Sequence, residues 1–299
     1  TQGLMWKAID ANGQLVYPDF VETVLRIVPL YWARAIGGTF FIIGFLIMVY
    51  NLIKTIQSAP EFEDESIRYV VPAPESDENE APHRRLEGMA TVFSVLAFIA
   101  ILVGSVIEIY PTLSIHKYVP ANTTVKPYTA LELAGRDMYI REGCYTCHSQ
   151  MVRTLPFDVL RYGPASTIEE SMYDRPFQWG SKRIGPDLAR VGKKYPDLWH
   201  YRHMIDPRSV TPKSIMPTYA WMAHDKTNFL ILRKKLSVMR SLGVPYSEDE
   251  VVNADIHAEK QALEIAKGLE SQGAPKGLED KEIVALIAYL QALGQKGGR

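Results

Sequence analysis

Cysteine is nearly missing from this chain: two occur in 299 residues, Cys144 and Cys147. A structural zinc site wants four protein ligands, usually two Cys-x-x-Cys or Cys/His pairs, and no second pair exists. A plain disulfide would consume both thiols yet leave the adjacent His148 unexplained. Excess charge is missing too. Thirty-three Lys and Arg against 34 Asp and Glu leave a net charge of −1, which gives no basis for nucleic-acid binding. No β alternation is sustained anywhere, so a thioredoxin-like redox pair lacks its βαβ context and the chain reads as mainly α. Residue 1 is Thr and no charged leader opens the sequence. It reads as a fragment or processed product, so an absent signal peptide says little about compartment.

Charge is absent altogether from "AIGGTFFIIGFLIMVYNLI", residues 35 to 53, and from "MATVFSVLAFIAILVGSVI", residues 89 to 107. Nineteen residues at about 1.5 Å each match a hydrocarbon layer of roughly 30 Å. Tyr31, Trp32 and Tyr50 suit the interfacial aromatic belts. A buried helix of a large soluble protein is the alternative, but two such runs in an otherwise polar chain favour two membrane spans. Between them, residues 58 to 87 form an acidic, proline-bearing linker. Two spans joined this way return the chain to its starting side. Lys7, Arg26 and Arg34 before the first span, and Lys54, Arg68, Arg84 and Arg85 in the linker, leave only a weak positive-inside asymmetry.

The sequence divides into residues 1–57 with the first span, the linker, an anchor at 88–110, and a soluble domain from Pro111 to Arg299. In that domain, helices are expected over 129–143, 195–208, 227–242, 254–272 and 279–293. The last carries an apolar stripe of Ile283, Leu286, Ile287 and Leu290. Proline and glycine interrupt the stretch 156–217, which reads as long loops.

"REGCYTCHSQMVR", residues 141 to 153, answers the scarcity of cysteine. Cys-x-x-Cys-His is the attachment signature of a c-type haem: Cys144 and Cys147 form thioethers, and His148 is the proximal iron ligand. The sixth position calls for a downstream ligand. Met216, in the Pro-flanked loop "TPKSIMPTYAWM", is the candidate, because a thioether raises the potential. Met151, Met172, Met204, Met222 and Met239 compete as possible core fillers, and His200 and His203 are the other alternative. A ligating imidazole normally donates its second N–H to a carbonyl. "IGPDL" looks like the Gly-Pro-x-Leu loop of class I cytochromes c, which makes Pro186 the acceptor. Arg153, Lys182 and Arg183 are candidate propionate partners, each equally readable as a solvated surface charge, and Trp179 could pack on the haem edge.

"GRDMYIREGCYTCHSQMVR", "RYGPAS", "YDRPFQWGSKRIGPDLARVG" and "SIMPTYAWM", with the anchor "RRLEGMATVFSVLAFIAILVGSVIEIYPTL" and "SLGVPYSEDE", resemble the monohaem cytochrome c subunit of cbb3-type cytochrome c oxidases over about residues 84 to 293. Residues 1 to about 57 instead resemble the last transmembrane helix of the catalytic subunit of the same oxidase, as in a fused chain. The resemblance implies two transmembrane helices and a class I cytochrome c-like domain with long loops. It implies one covalent haem c with His148 and Met216 as axial ligands, in a bacterial inner membrane. Residues 111–299 would be periplasmic and the linker cytoplasmic. The expected role is electron entry, from a soluble cytochrome c or a dihaem subunit toward the catalytic haem–copper subunit. Oxygen would be reduced there and not on this chain. Calcium near the propionates is expected of the family, with no ligand assignable here. The monohaem subunit of nitric oxide reductase, a free membrane-anchored carrier and a haem sensor remain the alternatives.

Overall fold

A computed structural model describes residues 2–58, 82–118 and 125–295. Its helices are α1 (Gln2–Lys7), α2 (Phe20–Ser58), α3 (Pro82–Gly88), α4 (Ala90–Tyr118), α5 (Ala130–Arg141), α6 (Pro156–Tyr162), α7 (Asp197–Ile205), α8 (Pro207–Val210), α9 (Leu232–Ser241), α10 (Glu248–Val252), α11 (Ala254–Ser271) and α12 (Glu282–Ala292). Among the described residues the only β pairings are two isolated bridges, Ile9–Leu15 and Lys226–Lys281, so the mainly α reading holds. Most of the expected linker, residues 59–81 with Arg68, lies outside the described residues.

The two apolar runs sit inside longer helices. α2 extends the first run toward both ends and accommodates Pro29, while α4 continues through Pro111 to Tyr118. Pro111, expected to open the soluble domain, therefore lies within a helix. Phe40 and Phe41 are 69% and 78% exposed, and nothing in either apolar window is buried within the chain. Side chains of this kind in a continuous apolar cylinder require lipid or partner helices around them. Both helices are candidate membrane spans.

The chain divides into two compact units, Thr1–Val28 with Ile115–Arg299, and Pro29–Ser114. This differs from the sequence division, because residues before Pro29 fold with the C-terminal domain. Trp6 stacks on Phe20 at 5.8 Å and its indole donates to Thr23 Oγ1 at 3.3 Å, burying Thr23, Val24 and Ile27.

The C-terminal domain is organised around the crossing of α5 and α12. Thr129 caps α5 in a reciprocal box with Glu132. Position 135 must be glycine, since a Cβ there would lie 1.9 Å from the Ala285 carbonyl oxygen. The helices can therefore cross backbone to backbone. Every residue of α12 except Gln291 is buried, so it is a central helix and not the amphipathic one its stripe suggested. Each fully buried Ile or Leu there contributes roughly 1.5–3 kcal/mol. Tyr289 packs between Tyr128 and Tyr139, 5.5 Å from each, and its hydroxyl pairs with Gln150 Oε1 at 3.0 Å. α11 approaches the core along Ala254, Ala258, Ala262 and Ala266, all on one helical face. The expected helix at 227–242 starts late: a 3₁₀ turn, Phe229–Ile231, precedes α9.

Candidate functional site

α5 delivers the chain to Gly143, whose left-handed backbone (φ 71°) turns it into the 3₁₀ segment Cys144–Thr146. The amides of Cys147 and His148 both donate to the Cys144 carbonyl, at 3.1 and 2.9 Å. One tight turn therefore carries both thiols and the imidazole. Burial, with Glu142 adding to it, pushes the Cys144 thiol up to about 12. That is the opposite of the depressed pKa that marks a redox-reactive cysteine.

The His148 ring is held from behind. Its Nδ1 lies 2.8 Å from the Pro186 carbonyl oxygen. A carbonyl can only accept, so Nδ1 carries the hydrogen and Nε2 keeps its lone pair. Burial lowers the imidazole pKa and the Pro186 carbonyl partly offsets that, favouring the neutral ring that a metal needs. Gly185 passes directly under the ring, where a Cβ would sit 2.2 Å from Cε1. Its amide donates to the Cys147 carbonyl at 2.9 Å.

An ionic cluster anchors this loop. Arg183 donates to both oxygens of Asp158, at 2.6 and 2.9 Å, to Ser149 Oγ at 2.7 Å and to Asp187 Oδ2 at 3.3 Å. All four residues are buried, Arg183 being 4% exposed. The chain segments at 149–151, α6 and 183–189 are thereby pinned together.

Cys144, Cys147, His148, Pro186 and Met216 line a single cavity of about 400 Å³, walled further by apolar and aromatic groups including Tyr139, Ile184, Leu188, Tyr219, Leu286 and Leu290. That is the size and lining of a cofactor site. Of the competing methionines only Met204 joins Met216 on the wall; Met222 and Met239 are core residues. His200 and His203 also line it, each with a buried ring nitrogen left without a partner (His200 Nε2, His203 Nδ1). Burial pushes both imidazoles down to about 4, and His203 stacks on Trp199 at 4.5 Å.

The expected propionate partners lie elsewhere. Arg183 is consumed by its carboxylate cluster, and Lys182 is exposed away from the cavity wall. Arg153 meets Asp158 through its backbone amide, at 3.2 Å, and does not line the cavity. Trp179 is 40% exposed, stacked on Phe177 at 4.4 Å with its indole on Ser171 Oγ, also off the wall. The cations that do line it are Arg161, Arg190, Lys194 and Lys213. Arg161 falls within the stretch "LRYGPAS", whose letters carry no sign of this role. Nor do those of the leading segment, although Pro18, Asp19, Phe20, Val21 and Val24 form part of the wall. Among the described residues no group of three or more His, Cys, Asp or Glu side chains could hold a metal ion, so the calcium expectation gains no ligand set there.

The cavity therefore fits a haem on its own chemistry: two free thiols, a neutral imidazole presenting Nε2, and a glycine where any side chain would strike the ligand. Known proteins agree. The family described as "Cytochrome C oxidase, mono-heme subunit/FixO" matches residues 83–296. Toward the N-terminus the chain is similar to other proteins. It is 47% identical over 72 residues to "Cytochrome c oxidase subunit 1 homolog" of Azorhizobium caulinodans, covering 24% of this chain and 13% of that one. It is 43% identical over 60 residues to "Cytochrome c oxidase subunit 1" of Rhodobacter capsulatus (20% and 11%). It is 45% identical over 62 residues to "Cbb3-type cytochrome c oxidase subunit CcoN1" of Stutzerimonas stutzeri (21% and 13%). The chain spans little more than a tenth of the length of these curated relatives.

Proposed function

Because the chain belongs to the family of mono-haem cytochrome c oxidase subunits, we propose that it is the electron-entry element of a cbb3-type oxidase, working through one covalent haem c. The observation that carries this is the meeting of Cys144, Cys147, His148 and Met216 on one largely apolar cavity. The bound haem supplies a one-electron iron couple. Cys144 and Cys147 would hold it by thioethers, and His148 Nε2 and the Met216 thioether would be its axial ligands. The Pro186 carbonyl orients the imidazole and raises its basicity. The thioether and the largely apolar wall would raise the potential of the bound haem.

α2 and α4 would span a bacterial inner membrane, with the haem domain in the periplasm and the linker in the cytoplasm. The N-terminal likeness supports a chain continuous with, or docked on, the catalytic haem–copper subunit. Electrons would arrive from a soluble cytochrome c or a dihaem subunit, and oxygen chemistry would occur on the catalytic subunit. A calcium ion at the subunit interface belongs to the same proposal, with ligands unassigned. The test is acid–acetone extraction followed by mass measurement. The unaltered polypeptide keeps its haem stain and one haem mass, and a Cys144→Ala, Cys147→Ala double variant loses both. Extractable haem in the unaltered protein overturns the assignment.

A further inference from the structure

We propose that Arg161 binds a carboxylate of the haem and, through the same guanidinium, locks the leading segment of the chain against that edge of the cofactor. This rests on the haem reading above and goes beyond it, to the residue that joins cofactor and segment.

Arg161 lies near the C-terminal end of α6, on the cavity wall. Its Nη1 donates to the carbonyl oxygens of Tyr17 and Pro18, at 2.7 and 3.0 Å. Its Nη2 is buried and has no partner. A guanidinium has five donors, no acceptor and a permanent charge, so a buried unmatched nitrogen on it calls for an acceptor, and an anionic one above all. Neither Asp158 nor Asp19, the carboxylates whose charge Arg161 feels, is hydrogen-bonded to it. Asp158 is engaged by both arms of Arg183, and Asp19 Oδ1 caps the amide of Val21 at 3.0 Å.

The other cations on the wall are placed differently. Arg190 is gripped by both oxygens of Glu170, at 2.7 and 2.8 Å, and also donates to backbone carbonyls. Lys194 and Lys213 are exposed. Among the described cavity-lining cations, Arg161 alone has a buried nitrogen without a partner. The open Nη2 offers N–H donors on a permanent charge, which suits a carboxylate, and a haem brings two carboxylates to this largely apolar cavity.

Arg161 also explains how the segment before the first span becomes a wall of the cofactor site. Tyr17 and Pro18 lead straight into Phe20, Val21 and Val24 on the cavity. Their position is set by the same guanidinium that meets the carboxylate. The leading segment is thus tied to the cofactor's charged edge through one guanidinium.

The experiment uses the full chain with its haem, in detergent, as Arg161→Gln and Arg161→Lys variants. Covalent haem is counted first; its absence from the unaltered protein would overturn the haem reading and this assignment with it, whereas a full haem count with an unshifted Arg161→Gln potential overturns this assignment alone. With haem present, Arg161→Gln should lower the reduction equilibrium constant about tenfold, or about 59 mV for one electron, because a cation that favours ferrous iron is gone. Trypsin should also cut faster after exposed Lys7. Arg161→Lys keeps the charge and should recover most of the potential, while the haem propionate bending band in resonance Raman spectra shifts as the guanidinium contact is replaced by an ammonium. An Arg161→Gln potential within twofold of the unaltered equilibrium constant overturns the proposal even if trypsin sensitivity rises, because Arg161 would then only hold the segment. If that variant does not fold, an unshifted propionate band in Arg161→Lys overturns it.

Discussion

His148 Nδ1 and the Pro186 carbonyl oxygen stand 2.8 Å apart across 38 residues of sequence, and Gly185 lies flat beneath the ring they orient. The imidazole is thus aimed by backbone alone. Gly185→Ala should be worse than its size suggests, since the new Cβ would sit 2.2 Å from Cε1. Overpacking of this kind costs about 1–3 kcal/mol, and here the strain falls on the proposed iron ligand. The expected result is a mixed-spin haem with a weakened proximal bond, read from the ferric visible spectrum. An unchanged low-spin spectrum would show that the ring is placed by something else.

The sixth ligand can be separated from its three rivals on the wall, Met204, His200 and His203. Met216→Leu should abolish the near-infrared sulfur-to-iron band of the ferric protein, while Met204→Leu should leave it. Met216→His should keep a six-coordinate low-spin iron at a lower potential. Persistence of the band in Met216→Leu would move the assignment to Met204, and its absence from the unaltered protein would favour His200 or His203.

The Arg183 cluster makes a stability prediction. Asp158→Asn removes the carboxylate that takes both arms of buried Arg183, leaving Asp187 at 3.3 Å as its remaining carboxylate, at a cost of up to about 3–5 kcal/mol. Arg183→Met should cost more than that single change, because it strands the buried carboxylates of both Asp158 and Asp187. Thermal melts of the three proteins, followed by far-ultraviolet dichroism, measure this ordering.

His200 gives a pH dependence that is checkable on protein prepared without haem. It is 1% exposed against the rings of Tyr195 and Trp199, and burial holds its pKa at about 4, below the ordinary 6.5. The unfolded chain therefore takes up the proton first. The neutral ring's contribution is complete above pH 6.5 and is lost as pH falls from 6.5 toward 4, by about 3 kcal/mol at most. His200→Phe should flatten this part of the stability profile. An equally steep profile in the variant would assign the loss to other groups.

The site's chemistry was legible where it is local. Cys144, Cys147 and His148 share one turn, and the Gly-Pro pair that serves His148 is carried in a five-residue phrase. Arg183 was misplaced because nothing in "GSKRIGPDL" signals that Asp158, 25 residues earlier, will bury it. Arg161 and the Pro18–Val24 wall were invisible for the same reason on a larger scale: contacts across about 140 residues leave no periodicity to read. α12 was found, but its stripe understated its burial. Ala285 and Ala288 close the remaining face against neighbours as small residues that no hydrophobic pattern emphasises.

The contact of Gly135 with Ala285 brings a schedule with it. α5 precedes the Cys144–His148 turn and α12 follows it by more than a hundred residues, yet neither helix has its main partner until the other is present. Closing so long a loop before any return is slow. Until residues 282–292 have been made, the turn with its two thiols therefore belongs to a chain whose central helix pair has not closed, and the last helix to arrive completes the domain around it.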